Sequence, residues 1–77
     1  MPALPTIKAA QLIRALMKVG FQITRQRGSH VRLKHADGRV VSVPVHAAQD
    51  MGRGLLRKIL RDAKLSTQDL VDLLEEK

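Results

Sequence analysis

The chain has 77 residues, no cysteine, fourteen Lys and Arg against seven Asp and Glu, and a formal charge of +7. A chain this short reads as a single domain over residues 1–77 that buries roughly 60 to 65% of its unfolded surface, which argues against a deep active-site cavity. Lack of cysteine excludes disulfides and thiolate chemistry, and Lys8, Arg14 and Lys18 break any apolar run that could act as a signal peptide or membrane span, so a soluble cytoplasmic protein is expected.

Thr6 is placed as the N-cap of a helix over residues 7–19, although Ala9 at N3 leaves the capping box incomplete. Leu12, Ile13, Leu16 and Met17 form its apolar stripe, and Gly20 suits the left-handed residue that ends it. The period then changes to two. Phe21 and Ile23 alternate with Gln22 and Thr24, Gly28 interrupts, and Val31 and Leu33 alternate with His30, Arg32 and Lys34. Asp37-Gly38 is the pair favoured in a tight hairpin, with a third strand over residues 39–43, Val41 and Val43 inward and Ser42 outward, stopped by Pro44.

A loop over residues 45–52 carries His46. A helix from 55 to 63 follows, striped by Leu56, Ile59, Leu60 and Ala63, and then a short helix over 67–75 with a Ser66–Asp69 capping-box pair and a Leu70, Leu73, Leu74 stripe. The order predicts an α+β fold. It is a double-stranded RNA-binding-domain-like α-β-β-β-α two-layer sandwich with a short extra C-terminal helix, apolar on one sheet face and basic on the other.

The positive charge is uneven. Residues 1–65 hold thirteen basic and three acidic side chains, whereas residues 66–77 hold one basic and four acidic. Such a body suits a polyanionic partner, though a well-solvated small domain can carry the same excess. Reading the last two helices as a DNA-binding helix-turn-helix is poor, because Asp69, Asp72, Glu75 and Glu76 on the second would face phosphates.

No phosphate loop, paired-carboxylate site or metal-ligand spacing is present, and no acid is placed to orient His30 toward Ser29 as a nucleophile. His30 remains as the reactive group. Histidine titrates near neutrality, so one imidazole can take a proton from a ribose 2′-hydroxyl or deliver one to a leaving oxygen, with neither metal nor cofactor. Arg25, Arg27, Arg32 and Lys34 are candidates to hold the phosphate, with Gly28 allowing close backbone approach. Taken alone, a histidine on an exposed strand is more often a solvated surface residue. His35 reads as an exposed turn residue. His46 is either a second proton-transfer group or a structural hydrogen-bonding residue. Phe21 is the only aromatic residue and points inward, so no base-stacking platform is expected and recognition rests on backbone charge and ribose.

Gly20-Phe21, R-x-x-G-S-H over Arg25–His30, Asp37-Gly38, V-P-V-H over Val43–His46 and G-x-L-x-x-I-L over Gly54–Leu60 together resemble the HicA toxin family, in the right order and across most of the chain. The resemblance implies a small ribonuclease of a toxin–antitoxin system, an mRNA interferase with His30 as catalytic histidine. It places Gly28 and Ser29 of the G-S-H motif beside the RNA. The implied partners are mRNA and a HicB-type antitoxin that covers the sheet face in a hetero-oligomer. Two positions depart from the family pattern: Val31 stands where many members have a second histidine, and Lys64 where a glycine commonly ends the second helix. The competing reading is a non-catalytic RNA-binding module of the same fold.

Overall fold

The computed structural model describes residues 3–46 and 49–76. Residues 1, 2 and 77 of the expected domain range, and residues 47 and 48 of the expected loop, lie outside the described residues. The elements are α1 (Ala9–Lys18), β1 (Gln22–Arg27), β2 (His30–Lys34), β3 (Val40–Pro44), α2 (Arg53–Ala63) and α3 (Thr67–Glu75). The strands form an antiparallel sheet in the order β1-β2-β3, and α1 and α2 pack on it through β3. This is the α+β two-layer arrangement expected, with α3 docked against α1 as the extra helix.

Period-two alternation places Val31, Leu33, Val41 and Val43 under the helices, and leaves His30, Arg32, Lys34 and Ser42 exposed on the open face. Leu12 and Leu16 of α1, Leu56, Ile59 and Leu60 of α2, Leu70 of α3 and Phe21 join the same cluster. Full burial of a side chain of this kind contributes about 1.5–3 kcal/mol, the main term opposing chain entropy in so small a domain.

Thr6 does not cap α1. The helix begins two residues later than expected because residues 7–8 are extended and paired with residues 50–51. The Met51 N–H donates to the Ile7 carbonyl at 2.9 Å, and Lys8 bridges to Asp50 with an ion pair of 3.3 Å. Lys8 is therefore the N-cap, and its N–H donates to Gln11 Oε1 at 2.9 Å, which shifts the reciprocal half of a capping box onto Gln11. The buried face of α1 is Ala9, Leu12, Ala15 and Leu16, while Ile13 is half-buried and Met17 is 48% exposed. Close packing through two alanines rotates the helix away from the stripe that its larger side chains suggest.

The Asp37-Gly38 pair does not make a two-residue turn. Only Gly38 of the two has positive φ, at +100°; the His35 N–H donates to the Arg39 carbonyl at 2.8 Å and the Gly38 N–H to the His35 carbonyl at 2.9 Å. The result is a three-residue loop closed by a left-handed glycine. His35 is likewise not an exposed turn residue: it is half-buried, its Nε2–H donates to the Val19 carbonyl at 2.9 Å, and its Nδ1 accepts from the Asp37 N–H at 3.1 Å. The Val19 carbonyl requires a proton on Nε2, and Asp37 Oδ1 also lies 3.1 Å from Nδ1. The ring meets Phe21 edge-on at 5.2 Å, and a Cβ on Gly20 (φ +104°) would lie 2.8 Å from Nε2, so glycine is required there on two counts. Arg39 lies 5.1 Å from the Phe21 centroid and donates to the Ala63 carbonyl at the end of α2. Through His35 and Arg39, the β2–β3 loop is fastened to the C-terminal ends of both sheet-packing helices.

The Arg39 guanidinium and backbone N–H hold the Asp37 carboxyl below the ordinary aspartate range. A carboxylate lowered in the folded state stabilises it above the unfolded value and loses that contribution as pH falls through the folded one. Wild-type protein is thus expected to lose more melting temperature than Asp37→Asn between about pH 5 and about pH 3. Parallel losses in thermal melts would show that the Arg39–Asp37 contact adds nothing.

Lys64 ends α2 at φ 57°, ψ 41°, so the left-handed turn is kept although a lysine occupies it. A side chain in that conformation costs roughly 1–2 kcal/mol, partly offset by glycine's extra freedom in the unfolded chain. Lys64→Gly is expected to raise stability by about 0.5–1 kcal/mol, seen as a melting temperature about 2–8 °C higher. In α3, Ser66 and Asp69 make the expected reciprocal cap at 3.0 and 2.8 Å. Lys18 Nζ donates to the Leu73 and Glu76 carbonyls at 2.9 and 3.2 Å, which fixes the far end of α3 to α1.

Candidate nucleic-acid interface

Arg27 pairs with His30, so Gly28 and Ser29 are the whole of the β1–β2 turn. Gly28 has φ +59° in the first central position, the place where a type II′ hairpin needs glycine. His30 is therefore the first residue of β2, exposed at the tip of the sheet, and the Val45 N–H donates to the Ser29 carbonyl at 2.6 Å to hold that tip against the end of β3. Among the described residues the His30 ring has no hydrogen-bond partner, whereas both ring nitrogens of His35 are committed.

A bulge in β1 completes the face. Ile23 pairs with Leu33, the register shifts at Thr24, and Arg25, Gln26 and Arg27 then pair with Arg32, Val31 and His30. Directly paired residues share a sheet face, so the extra residue moves Arg25 and Arg27 to the side of His30 and Arg32. Without it they would point at the helices. Ile23 keeps the inward side, but it lies on an edge strand beyond the helical layer and is 47% exposed rather than part of the core.

The open face thus carries Gln22, Arg25, Arg27, His30, Arg32, Lys34, Val40, Ser42 and Pro44, with no acid among them. Five of the eight expected site residues, His30 and the four cations, share this surface, Gly28 and Ser29 form the turn at its edge, and His46 lies apart from it. Arg25 and Arg32 stand directly opposite one another, a like-charge pair that is unfavourable in the free protein and is relieved when an anion lies between them. His46 is exposed outside the strands, in a cleft lined also by Pro44, Gln49, Asp50, Met51 and Leu55. It shares only Pro44 with the His30 surface. The cations of α2, among them Arg57, Lys58 and Arg61, belong to the helical layer on the reverse side, where Lys58 pairs with Asp62 at 3.0 Å.

Sequence periodicity alone missed the bulge, yet it left a trace. Phe21, Ile23, Arg25 and Arg27 all occupy one parity, and a regular strand cannot bury the first of these and solvate the last two on the same face. Gln22 and Ser42 also enter the face, opposite Lys34 and Arg32 respectively through β2 pairing.

Topology and surface define a small α+β protein with a cationic open sheet face opposite its helices. A family model described as the HicA toxin of bacterial toxin–antitoxin systems matches residues 9–65. The chain belongs to the HicA toxin family. Members of this family are toxins of toxin–antitoxin pairs and generally ribonucleases that act on mRNA, which implies an RNA target and an antitoxin partner. Comparison with curated proteins gave no significant match. No helix among the described residues is long and apolar enough to cross a membrane.

Proposed function

We propose that the chain, acting as one toxin domain over residues 1–77, is a metal-independent endoribonuclease in the cytoplasm. His30 serves as its general acid or base. The observation that carries this reading is an uncommitted, exposed imidazole placed by a glycine turn on the same face as four cations. The cations attract the RNA backbone and offset negative charge that builds on the phosphate. His30 removes the proton from a ribose 2′-hydroxyl as that oxygen attacks the adjacent phosphate, or protonates the leaving oxygen. Because nucleophile and phosphate belong to one nucleotide, attack is intramolecular and needs no activated water. Arg25, Arg27, Arg32 and Lys34 are the proposed RNA-binding side chains, with Gly28 and Ser29 shaping the edge that admits the strand. His46 is kept as a candidate second proton-transfer group for the flank beyond Pro44.

A HicB-type antitoxin would neutralise the toxin by covering the open face in a hetero-oligomer. An acidic surface presented by that partner would remove the Arg25–Arg32 repulsion as RNA does, so inhibitor and substrate would compete for one site. Incubating the purified protein with RNA in EDTA tests the enzymatic reading. Cleavage is expected; RNA that is bound and left intact would instead make the chain a non-catalytic RNA-binding module.

A further inference from the structure

The open face is ordered as well as charged. Three cross-strand rows run over it: Arg27, His30 and Pro44; then Arg25, Arg32 and Ser42; then Gln22, Lys34 and Val40. Successive rows are two residues apart along β2, about 6.8 Å at the rise of an antiparallel strand. That separation matches the stride of one nucleotide in an extended single strand. Successive phosphates of a duplex strand are similarly spaced but wind around the helix axis, so they curve away from a straight line of rows. The five residues of β2 also span only about 17 Å, short of the roughly 16 base pairs over which duplex RNA is recognised by shape.

Resting on the ribonuclease reading, we infer that the substrate is a single strand laid along β2 with one phosphate in each row. The scissile phosphate lies in the His30 row, beside Arg27. The next phosphate sits between Arg25 and Arg32, where it separates two like charges, and Ser42 adds a hydroxyl donor. The third meets Lys34, with the Gln22 amide opposite. Because His30 stands at the turn, both supporting rows lie on one side of the cut. The enzyme therefore grips its substrate asymmetrically, and nucleotides beyond the turn add little to affinity. With Phe21 buried, no stacking competes with this phosphate register.

The test uses the His30→Ala protein, oligoribonucleotides carrying one to five phosphates, and a duplex of the same sequence. The log-log slope of affinity against salt is expected to steepen by about 0.7 per added phosphate up to three and then level. Lys34→Ala in the same background is expected to move the levelling point to two, and the duplex to bind more weakly than the single strand. A slope that levels at one phosphate, one that steepens through five, or a duplex held as tightly as the strand overturns the inference. Cleavage of long RNA by the wild-type protein is scored separately. Cleavage without levelling at three rejects the ordered track and leaves the ribonuclease intact; levelling at three without cleavage does the reverse.

Discussion

Replacing His30 by alanine is expected to slow RNA cleavage about 10²- to 10⁴-fold, the usual contribution of a positioned proton-transfer group. Fold and affinity should change little. The ring is exposed at the tip of the sheet and outside the core, so its loss opens no cavity, and an exposed substitution of this kind moves stability within about 0.5 kcal/mol. Affinity comes mainly from Arg25, Arg27, Arg32 and Lys34, which the substitution leaves in place. Cleavage rate, RNA affinity and melting temperature measured on the same preparation separate these effects. A variant that cuts as fast as wild type removes His30 from the mechanism, and one that fails to bind makes its role adhesive.

Phe21→Ala is expected to cost about 3–5 kcal/mol, a large share of the 5–15 kcal/mol that holds a typical domain together. Phe21 is 1% exposed, and its ring is the common surface for His35, edge-on at 5.2 Å, and Arg39, at 5.1 Å. Those two residues tie the β2–β3 loop to the ends of α1 and α2, so the cavity opens beneath the contacts that hold sheet and helices in register. Phe21→Leu should recover part of the loss, because it restores apolar volume but not the aromatic contacts. Denaturant unfolding of both variants measures this. A loss below about 1 kcal/mol for Phe21→Ala would mean that the loop is held by its hydrogen bonds alone.

Much of this architecture could be read directly from the chain. Alternation in β2 and β3 fixed which of Val31, Leu33, Val41 and Val43 face the helices. The Leu56, Ile59, Leu60, Ala63 spacing fixed the buried side of α2, and Ser66 with Asp69 marked the start of α3. Local pattern failed where partners distant in sequence decide the outcome. The start of α1 depends on residues 50–51 pairing with residues 7–8, and the burial of His35 depends on the end of α1 lying within reach of the hairpin loop. For the site, His30, Arg32 and Lys34 follow from β2 alone. Placing Arg25 and Arg27 beside them requires the bulge at Thr24, which is set by pairing between strands rather than by propensity within one. Lys64 shows the opposite case: the left-handed turn forms against the preference of its own residue, with the Lys64 and Leu65 N–H groups donating to the Arg61 and Leu60 carbonyls at 3.1 and 2.9 Å.

The proposed chemistry depends on a nucleophile that the RNA itself supplies, with His30 moving its proton or that of the leaving oxygen. The most direct measurement gives the wild-type protein one RNA and, in parallel, the same strand built entirely from 2′-deoxyriboses, following both binding and strand scission. The expected result is that both strands bind and only the RNA is cut. Scission of the deoxy strand at a comparable rate, or an RNA that stays whole while bound, would contradict it.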